Sequence, residues 1–380
     1  MLARRHRVRR ATVAAVAATT LAVTLAGCGE KSGPDNKQNA LRPAGPYSRK
    51  ILDLTRPFFW IAVVIGIGVV GATIFVALRF RVKPGEERAP KQTHGNTVLE
   101  VSWTIIPALI LAVMAVPTIA TVFNLAQRPK GPDVVHIQVS ARQWWWQFTY
   151  TDEGNGVVTA NEMHIPVGVP VALSLIGPPA CTGKNCYNNG VIHSFWIPAL
   201  NGKKDVVPGR DQFLKLEADR AGTFLGQCAE YCGLSHADMR MRVIAQPMDQ
   251  YKAWVAQQQQ ALTKQQLAEF DKFSAQWGCL ACHSIEPKKA GAVAPNLTHL
   301  ADRCKFAGDI FITDQENLQK WIYNAPSRKP MGNLTQHMPD FSATPGTDGQ
   351  TMTQAQAAEI AAWLLKNTGT GTVPPAECSQ

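Results

Sequence analysis

The densest chemistry in this 380-residue chain lies in one short run. Cys228-Ala229-Glu230-Tyr231-Cys232-Gly233-Leu234-Ser235-His236-Ala237-Asp238-Met239 puts two thiols, an imidazole and a thioether in a single loop-sized segment. A second imidazole stands upstream in His193-Ser194-Phe195-Trp196-Ile197-Pro198. Thiolate, thioether and imidazole are soft or borderline donors, and together they favour copper over hard cations. Zinc would be satisfied by the two cysteines and two histidines, leaving Met239 without a role. A disulfide between Cys228 and Cys232 would leave His193, His236 and Met239 unexplained. A second motif, Cys279-Leu280-Ala281-Cys282-His283, has the C-x-x-C-H form of covalent c-type haem attachment. There two thioethers fix the porphyrin and the adjacent imidazole ligates the iron. Met331 and Met338, further on, are the thioethers available for the opposite face of the iron.

These groups need scaffolds, and the chain's patterning supplies three kinds. Phe58 to Leu78 is a run without charge, long enough to cross a bilayer. Arg79, Arg81, Lys83, Arg88 and Lys91 follow it, and Val101 to Gln127 is a second uncharged run interrupted by Pro107 and Pro117. Before them, Arg4, Arg5, Arg7, Arg9 and Arg10 precede an uncharged stretch from Ala11 to Gly27, the order of a secretory signal. Leu25-Ala26-Gly27-Cys28 resembles a bacterial lipobox, which implies cleavage before Cys28 and lipid on its sulfur. Residues 28–57 are rich in Gly, Pro, Asn and Lys and are expected to be a tether. An exported N-terminus followed by two spans returns the rest of the chain to the outside and leaves the basic 79–100 connection inside.

From Val134 to about 246, short β-rich runs are punctuated by Gly, Pro and Asn, the pattern of a β-sandwich or barrel. Three successive tryptophans, Trp144-Trp145-Trp146, cannot all face inward on one strand, so at least one is expected to point out. Residues 249–277 lack Gly and read as helical, and the segment from Cys279 to an amphipathic run at 353–366 reads as a small all-α domain. The expected boundaries are signal 1–27, tether 28–57, two-helix transmembrane anchor 58–128, β domain 133–247, helical connector 248–264, helical domain 265–370 and tail 371–380. The formal net charge of +10 belongs to the membrane-flanking part: residues 1–132 carry 18 basic and 6 acidic side chains. Residues 133–247 carry 9 and 10, and 265–380 carry 9 and 11, so the chain has no nucleic-acid footprint.

The copper-type loop, the upstream His193 and the two spans together resemble cytochrome c oxidase subunit II over residues 50 to 370. The fused C-x-x-C-H domain resembles the arrangement of caa-type haem–copper oxidases. The resemblance implies a cupredoxin-like sandwich holding the binuclear copper centre CuA. Cys228 and Cys232 would bridge both coppers, His193 and His236 would each cap one, and Met239 and the carbonyl of Glu230 would complete the shells. The Glu230 side chain resembles a ligand for magnesium at the interface with subunit I. Trp144 resembles the aromatic residue through which electrons enter, and Glu100 the carboxylate at the mouth of a proton-uptake channel. Pro295-Asn296-Leu297-Thr298-His299-Leu300 and the Met338-Pro339 pair resemble a class I cytochrome c, which implies Cys279 and Cys282 as covalent haem attachments and His283 and Met338 as axial ligands. A His/Met pair raises the iron potential, which suits donation to copper.

One position departs from that pattern: where the family usually carries Asp three residues before the first copper histidine, this chain has Gly190. The preceding insertion contains Cys181 and Cys186, which are expected to form a local disulfide in an exported domain. Cys304 and Cys378 remain; in an exported domain a disulfide between them is one use and two unpaired thiols the other, and sequence does not decide between these. The implied function is electron entry into the oxygen-reducing haem–copper site of subunit I, with proton translocation, at the cell (inner) membrane. Expected partners are subunits I and III, membrane lipid, and an external donor such as cytochrome c or a bc1-type complex. Two rivals are a CuA-containing nitric oxide reductase subunit and a membrane-anchored copper-delivery or copper-sensing lipoprotein. Glu100 favours the oxidase, because a delivery protein needs no proton-channel mouth. A quinol oxidase subunit would lack the copper ligands.

Overall fold

The computed structural model describes residues 38–82, 85, 92, 94–152, 154–177, 190–332 and 337–370. The signal segment, Cys28, Cys181, Cys186, Cys378 and the tail 371–380 lie outside the described residues.

Two helices are long and apolar enough to cross a membrane: α1, Pro46–Arg79, and α2, Thr97–Ala126, with mean hydropathies of 2.7 and 2.4. Asn96 caps α2, its side-chain oxygen accepting from the backbone N–H groups of Val98 and Leu99 at 3.1 and 3.2 Å. α1 begins twelve residues before the expected span. Pro46 occupies its first turn, where the missing N–H costs nothing. Tyr47, Ser48 and Leu52 are buried, and the Ser48 hydroxyl donates to the carbonyl of Ala199 at 2.7 Å. Residues 46–57 are therefore helix docked on the β domain and not tether. Lys215 donates to the carbonyl of Asn124 near the end of α2 at 2.8 Å, so both helices are tied to the same domain.

The β domain is a sandwich of two five-stranded sheets. One sheet has the order β3-β2-β1-β5-β8, from Val158–Ala160, Trp145–Tyr150, Val135–Arg142, Val171–Ile176 and Asp211–Leu216. The other is β4-β10-β9-β6-β7, from Glu162–Pro166, Arg240–Gln246, Gly222–Cys228, His193–Trp196 and Lys204–Val206. Alternation drives it: Ile137, Val139 and Ala141 of β1 face the core, as do Phe148, Leu173, Met163, Phe195 and Met241 from the neighbouring strands. Full burial of each such large side chain contributes about 1.5–3 kcal/mol.

The expectation that one tryptophan faces solvent fails. Trp144, Trp145 and Trp146 are 6%, 7% and 0% exposed. Trp144 lies in the turn before β2, so strand alternation does not apply to it. Trp145 lines a cavity shared with the C-terminal domain, which covers that side of the sandwich.

The run 249–277, expected to be helical, forms two helices. α3, Met248–Gln258, packs on the sandwich through Tyr251 and Val255. α4, Lys264–Trp277, starts at a capping box in which Thr263 and Gln266 satisfy each other's backbone N–H groups. α4 belongs to the second core, with Phe270 and Trp277 packed among Leu300, Leu318, Ile360 and Leu364. α6, Gln315–Tyr323, and α7, Gln354–Asn367, complete that core. Gly278, at φ 71°, ends α4 in the left-handed region and lets the short helix α5, Cys279–Cys282, begin at once. The C-terminal domain is helical but not purely so: Lys305–Phe306 (β11) and Phe311–Ile312 (β12) form a two-residue antiparallel ladder. Cys304 is disulfide-bonded, and the other described cysteines, Cys228, Cys232, Cys279 and Cys282, are free.

Candidate functional site

Strand pairing builds the copper-type site. β6 begins at His193 and β9 ends at Cys228, on adjacent strands with Phe195 opposite Cys228. The loop after Cys228 is closed by two backbone bonds: Cys228 N–H to the carbonyl of Met239 at 2.9 Å, and Ala229 N–H to that of Ser194 at 2.9 Å. A single 3-10 turn, His236–Asp238, leads to Met239, the residue just before β10. Cys228 Sγ then lies 3.8 Å from Cys232 Sγ, 3.8 Å from His193 Nδ1 and 3.2 Å from the carbonyl oxygen of Glu230. Cys232 Sγ lies 3.6 Å from His236 Nδ1 and 3.9 Å from Met239 Sδ. His193, Cys228 and Cys232 are buried, with their donor atoms within 4.8 Å of one another.

Two buried thiols this close resist losing both protons. The first thiolate accepts a hydrogen bond from its neighbour, which pulls Cys228 down, and the same pairing together with burial pushes Cys232 up. The unjoined thiols, two imidazoles, thioether and carbonyl converge as a soft donor set, which fits copper. The Glu230 side chain is exposed.

Trp144 sits directly on this loop. Its Nε1 donates to the carbonyl of Cys232 at 2.9 Å, and Gln143 Nε2 donates to the same oxygen at 2.7 Å. Gly233, at φ 108°, leaves room for the indole; an added Cβ would stand 3.0 Å from Trp144 Cζ2. Gly190 adopts φ 65°, a conformation glycine enters freely.

The C-x-x-C-H motif opens on a cavity of about 230 Å³. Cys279, Cys282, His283, Met331 and Met338 are all in its wall, with a mainly apolar lining that includes Phe306 and Leu318. Protein cores are close-packed, so an apolar space of this size beside that motif fits a bound haem. His283 Nδ1 lies 2.7 Å from the carbonyl oxygen of Pro295, which fixes the ring and leaves Nε2 for a metal. Burial lowers the affinity of His283 for a proton. Burial also pushes the Cys279 thiol up to about 11. Gln143, Trp144, Trp145 and Asn161 of the sandwich complete the same wall.

The structure brings His193, Cys228, Cys232, His236 and Met239 together, and separately gathers Cys279, Cys282, His283 and both methionines. Glu100 stands apart, exposed in the first turn of α2. Several charged residues in the seam between the domains carried no sequence motif and were not anticipated. Arg242 Nε and Asp309 Oδ1 form a buried pair at 2.6 Å. Glu162 receives the N–H of Cys304 at 3.2 Å and lies 3.1 Å from His164 Nε2. Burial raises the Glu162 carboxyl, but His164, Arg242 and that N–H outweigh it and hold the group below its ordinary value. Arg303, buried in the cavity wall, is lowered by desolvation to about 10. Lys329, also in the wall, is lowered by desolvation to about 7.

Comparison with known proteins gives the wider setting. Residues 184–246 match the family "Cytochrome C oxidase subunit II, periplasmic domain", and residues 36–121 match its transmembrane domain. The chain is 37% identical over 333 residues to cytochrome c oxidase subunit 2 of Alkalihalophilus pseudofirmus, covering 85% of this chain and 90% of that relative. It is 32% identical over 339 residues to cytochrome c oxidase subunit 2 of Bacillus subtilis, covering 84% and 90%. Among solved structures, the periplasmic domain of cytochrome oxidase subunit II of Bradyrhizobium japonicum is 28% identical, covering 34% of this chain and 95% of that one, at a TM-score of 0.29. With its two apolar helices and β-sandwich, the chain belongs to the cytochrome c oxidase subunit II family, as a membrane protein whose periplasmic CuA domain binds copper and whose partner is subunit I of a respiratory oxidase.

Proposed function

We propose that the chain is the electron-entry subunit of a proton-translocating oxidase and carries its own haem c behind the copper domain. One observation carries this reading: Trp144 touches both candidate centres. Its Nε1 donates to the carbonyl of Cys232 at 2.9 Å, and the residue lines the cavity walled by Cys279, Cys282 and His283.

In this reading residues 133–247 are the CuA domain and 265–370 the cytochrome c domain. Cys228 and Cys232 would supply the shared thiolates of a copper pair, with His193, His236, Met239 and the Glu230 carbonyl as its remaining donors. The exposed Glu230 carboxylate is the candidate magnesium ligand against subunit I. Cys279 and Cys282 would hold the haem covalently, and His283 and Met338 would be the residues that ligate its iron. When bound, the copper pair and the haem each supply a one-electron couple. The protein's part is a rigid, dry mount: sandwich strands fix the copper donors, Pro295 orients His283, and Trp145 with Phe306 excludes water.

Trp144 is the electron-entry residue and Glu100 the mouth of proton uptake. The two spans make a multi-pass anchor in the inner membrane with both domains outside, and Cys28 carries lipid. The chain then works between an external donor, such as cytochrome c or a bc1-type complex, and subunit I, where oxygen is reduced to water; subunit III completes the assembly. The test is to purify the complex and follow oxygen uptake, optical spectrum and haem staining on a denaturing gel. Covalent haem migrating with this chain is expected. Oxygen uptake from a complex whose chain carries no covalent haem would contradict the fused cytochrome.

A further inference from the structure

Lys329 is 3% exposed and uses all three ammonium donors on backbone oxygens. Nζ donates to the carbonyls of Trp144 at 2.8 Å, Asp238 at 2.9 Å and Ala307 at 2.8 Å. These oxygens belong to three separate segments. Trp144 is the residue whose indole holds Cys232. Asp238 lies in the turn between His236 and Met239. Ala307 lines the haem-type cavity. Three carbonyl oxygens facing one buried point repel one another and are costly to bury unless a donor stands between them.

Around this point the contact is close. Arg240 N–H donates to the carbonyl of Gly308 at 3.1 Å, and the Ser235 hydroxyl donates to that of Pro330. Gly308 adopts φ 88°. A Cβ there would run into the carbonyl oxygen of Asp238 and stand 2.7 Å from Lys329 Nζ. Resting on the functional reading above, we propose that Lys329 is a positioning residue that holds the copper loop, Trp144 and the cytochrome domain in one arrangement for internal electron transfer. A lysine suits this better than arginine, because a compact ammonium can serve three oxygens at one point while a planar guanidinium cannot.

The consequence is local. Without the ammonium, the turn carrying His236 and Met239 loses its central tie to the cytochrome domain, the bond at the Asp238 carbonyl, and keeps only those of Ser235 and Arg240. The Arg242–Asp309 pair, a separate interdomain contact, should contribute stability but not copper geometry.

The test uses the full-length chain in its purified complex and compares Lys329→Met, Gly308→Ala and Arg242→Met. Hydrogen exchange is read at the amides of Asp238, Met239 and Arg240, which bond to Ser235, His236 and Gly308. Copper EPR and the internal transfer rate are read on the same samples. Lys329→Met should speed exchange at these amides about tenfold, alter the copper hyperfine splitting and slow internal transfer about tenfold, the scale of lost positioning. Its low-spin haem spectrum should persist. Gly308→Ala, which strains the same point from the other domain, should give the same pattern and decides the question if Lys329→Met does not fold. Arg242→Met should lower thermal stability and leave the copper signal unchanged. Exchange and copper signal in Lys329→Met, or in Gly308→Ala, indistinguishable from the unaltered chain would overturn the proposal. So would an equal change of copper signal in Arg242→Met. Absence of a copper pair or haem from the unaltered chain would instead refute the functional reading, while the exchange data would still decide whether Lys329 orders the loop.

Discussion

The indole of Trp144 and the carbonyl of Cys232 are joined by a 2.9 Å hydrogen bond, so a residue in the wall of the haem-type cavity is bonded to the backbone of the copper-type loop. Trp144→Phe keeps an aromatic ring and removes this bond, while Gln143 still satisfies the Cys232 oxygen at 2.7 Å. The loss of stability should therefore be small, about 1 kcal/mol. Internal transfer from haem to copper should slow about tenfold, because the ring is no longer held against the loop. Thermal unfolding and flash-induced transfer on the same preparation check both halves. A Phe variant that transfers at the unaltered rate would remove Trp144 from the electron path.

Met331 and Met338 both line the cavity, but their packing differs. Met331 belongs to the sandwich core cluster, whereas Met338 is partly buried and packs against both cores. Met338→Ala is expected to convert the haem to a high-spin or misligated form, since an axial ligand sets the iron's field. Met331→Ala is expected to leave the haem low-spin and to cost about 2–3 kcal/mol through the cavity it opens. Optical and EPR spectra of the two variants separate the roles, and the reverse outcome would make Met331 the ligand.

The buried Glu162 makes the domain seam acid-sensitive. Its folded value lies below the ordinary 4.5, so its charged form is stabilised by folding. That contribution is present above 4.5 and is lost as pH falls through the lower folded value. Asp309 has the opposite sign: burial raises it, so its penalty is relieved as pH falls. Glu162→Gln should be less stable than the unaltered chain by about 3 kcal/mol at neutral pH, the cost of breaking a buried charged network. The gap should close as the pH is lowered, because a protonated Glu162 resembles the glutamine. Thermal unfolding across a pH series measures it, and a gap that stays constant into acid would contradict the assignment.

Legibility from sequence followed the physics of each feature. The copper-type loop, the C-x-x-C-H motif and the two apolar runs are local in the chain, and most strands were visible in the alternation of residues such as Ile137, Val139 and Phe148. What the sequence hid depends on tertiary cover. Tyr47, Ser48 and Leu52 read as tether until the sandwich gives them a surface on which to continue the helix. The alternation that expects one of the three tryptophans to face out takes no account of the C-terminal domain, which closes over Trp145. Lys329, Arg242, Asp309 and Glu162 carry no local motif, because the partners across the domain seam lie far off in the chain: 67 residues for Arg242 and Asp309, 142 for Glu162 and Cys304, and 185 for Lys329 and Trp144. The short ladder of Lys305–Phe306 with Phe311–Ile312 is two residues long on each side and too brief to leave a periodic signal.

The central claim is the copper pair, and metal content with EPR on the purified full-length chain tests it most directly. The convergence of Cys228, Cys232, His193, His236 and Met239 predicts two coppers per chain and the hyperfine pattern of one unpaired electron shared equally between them. A chain that holds a single zinc, or that joins Cys228 to Cys232 in a disulfide and binds no copper, would contradict the account.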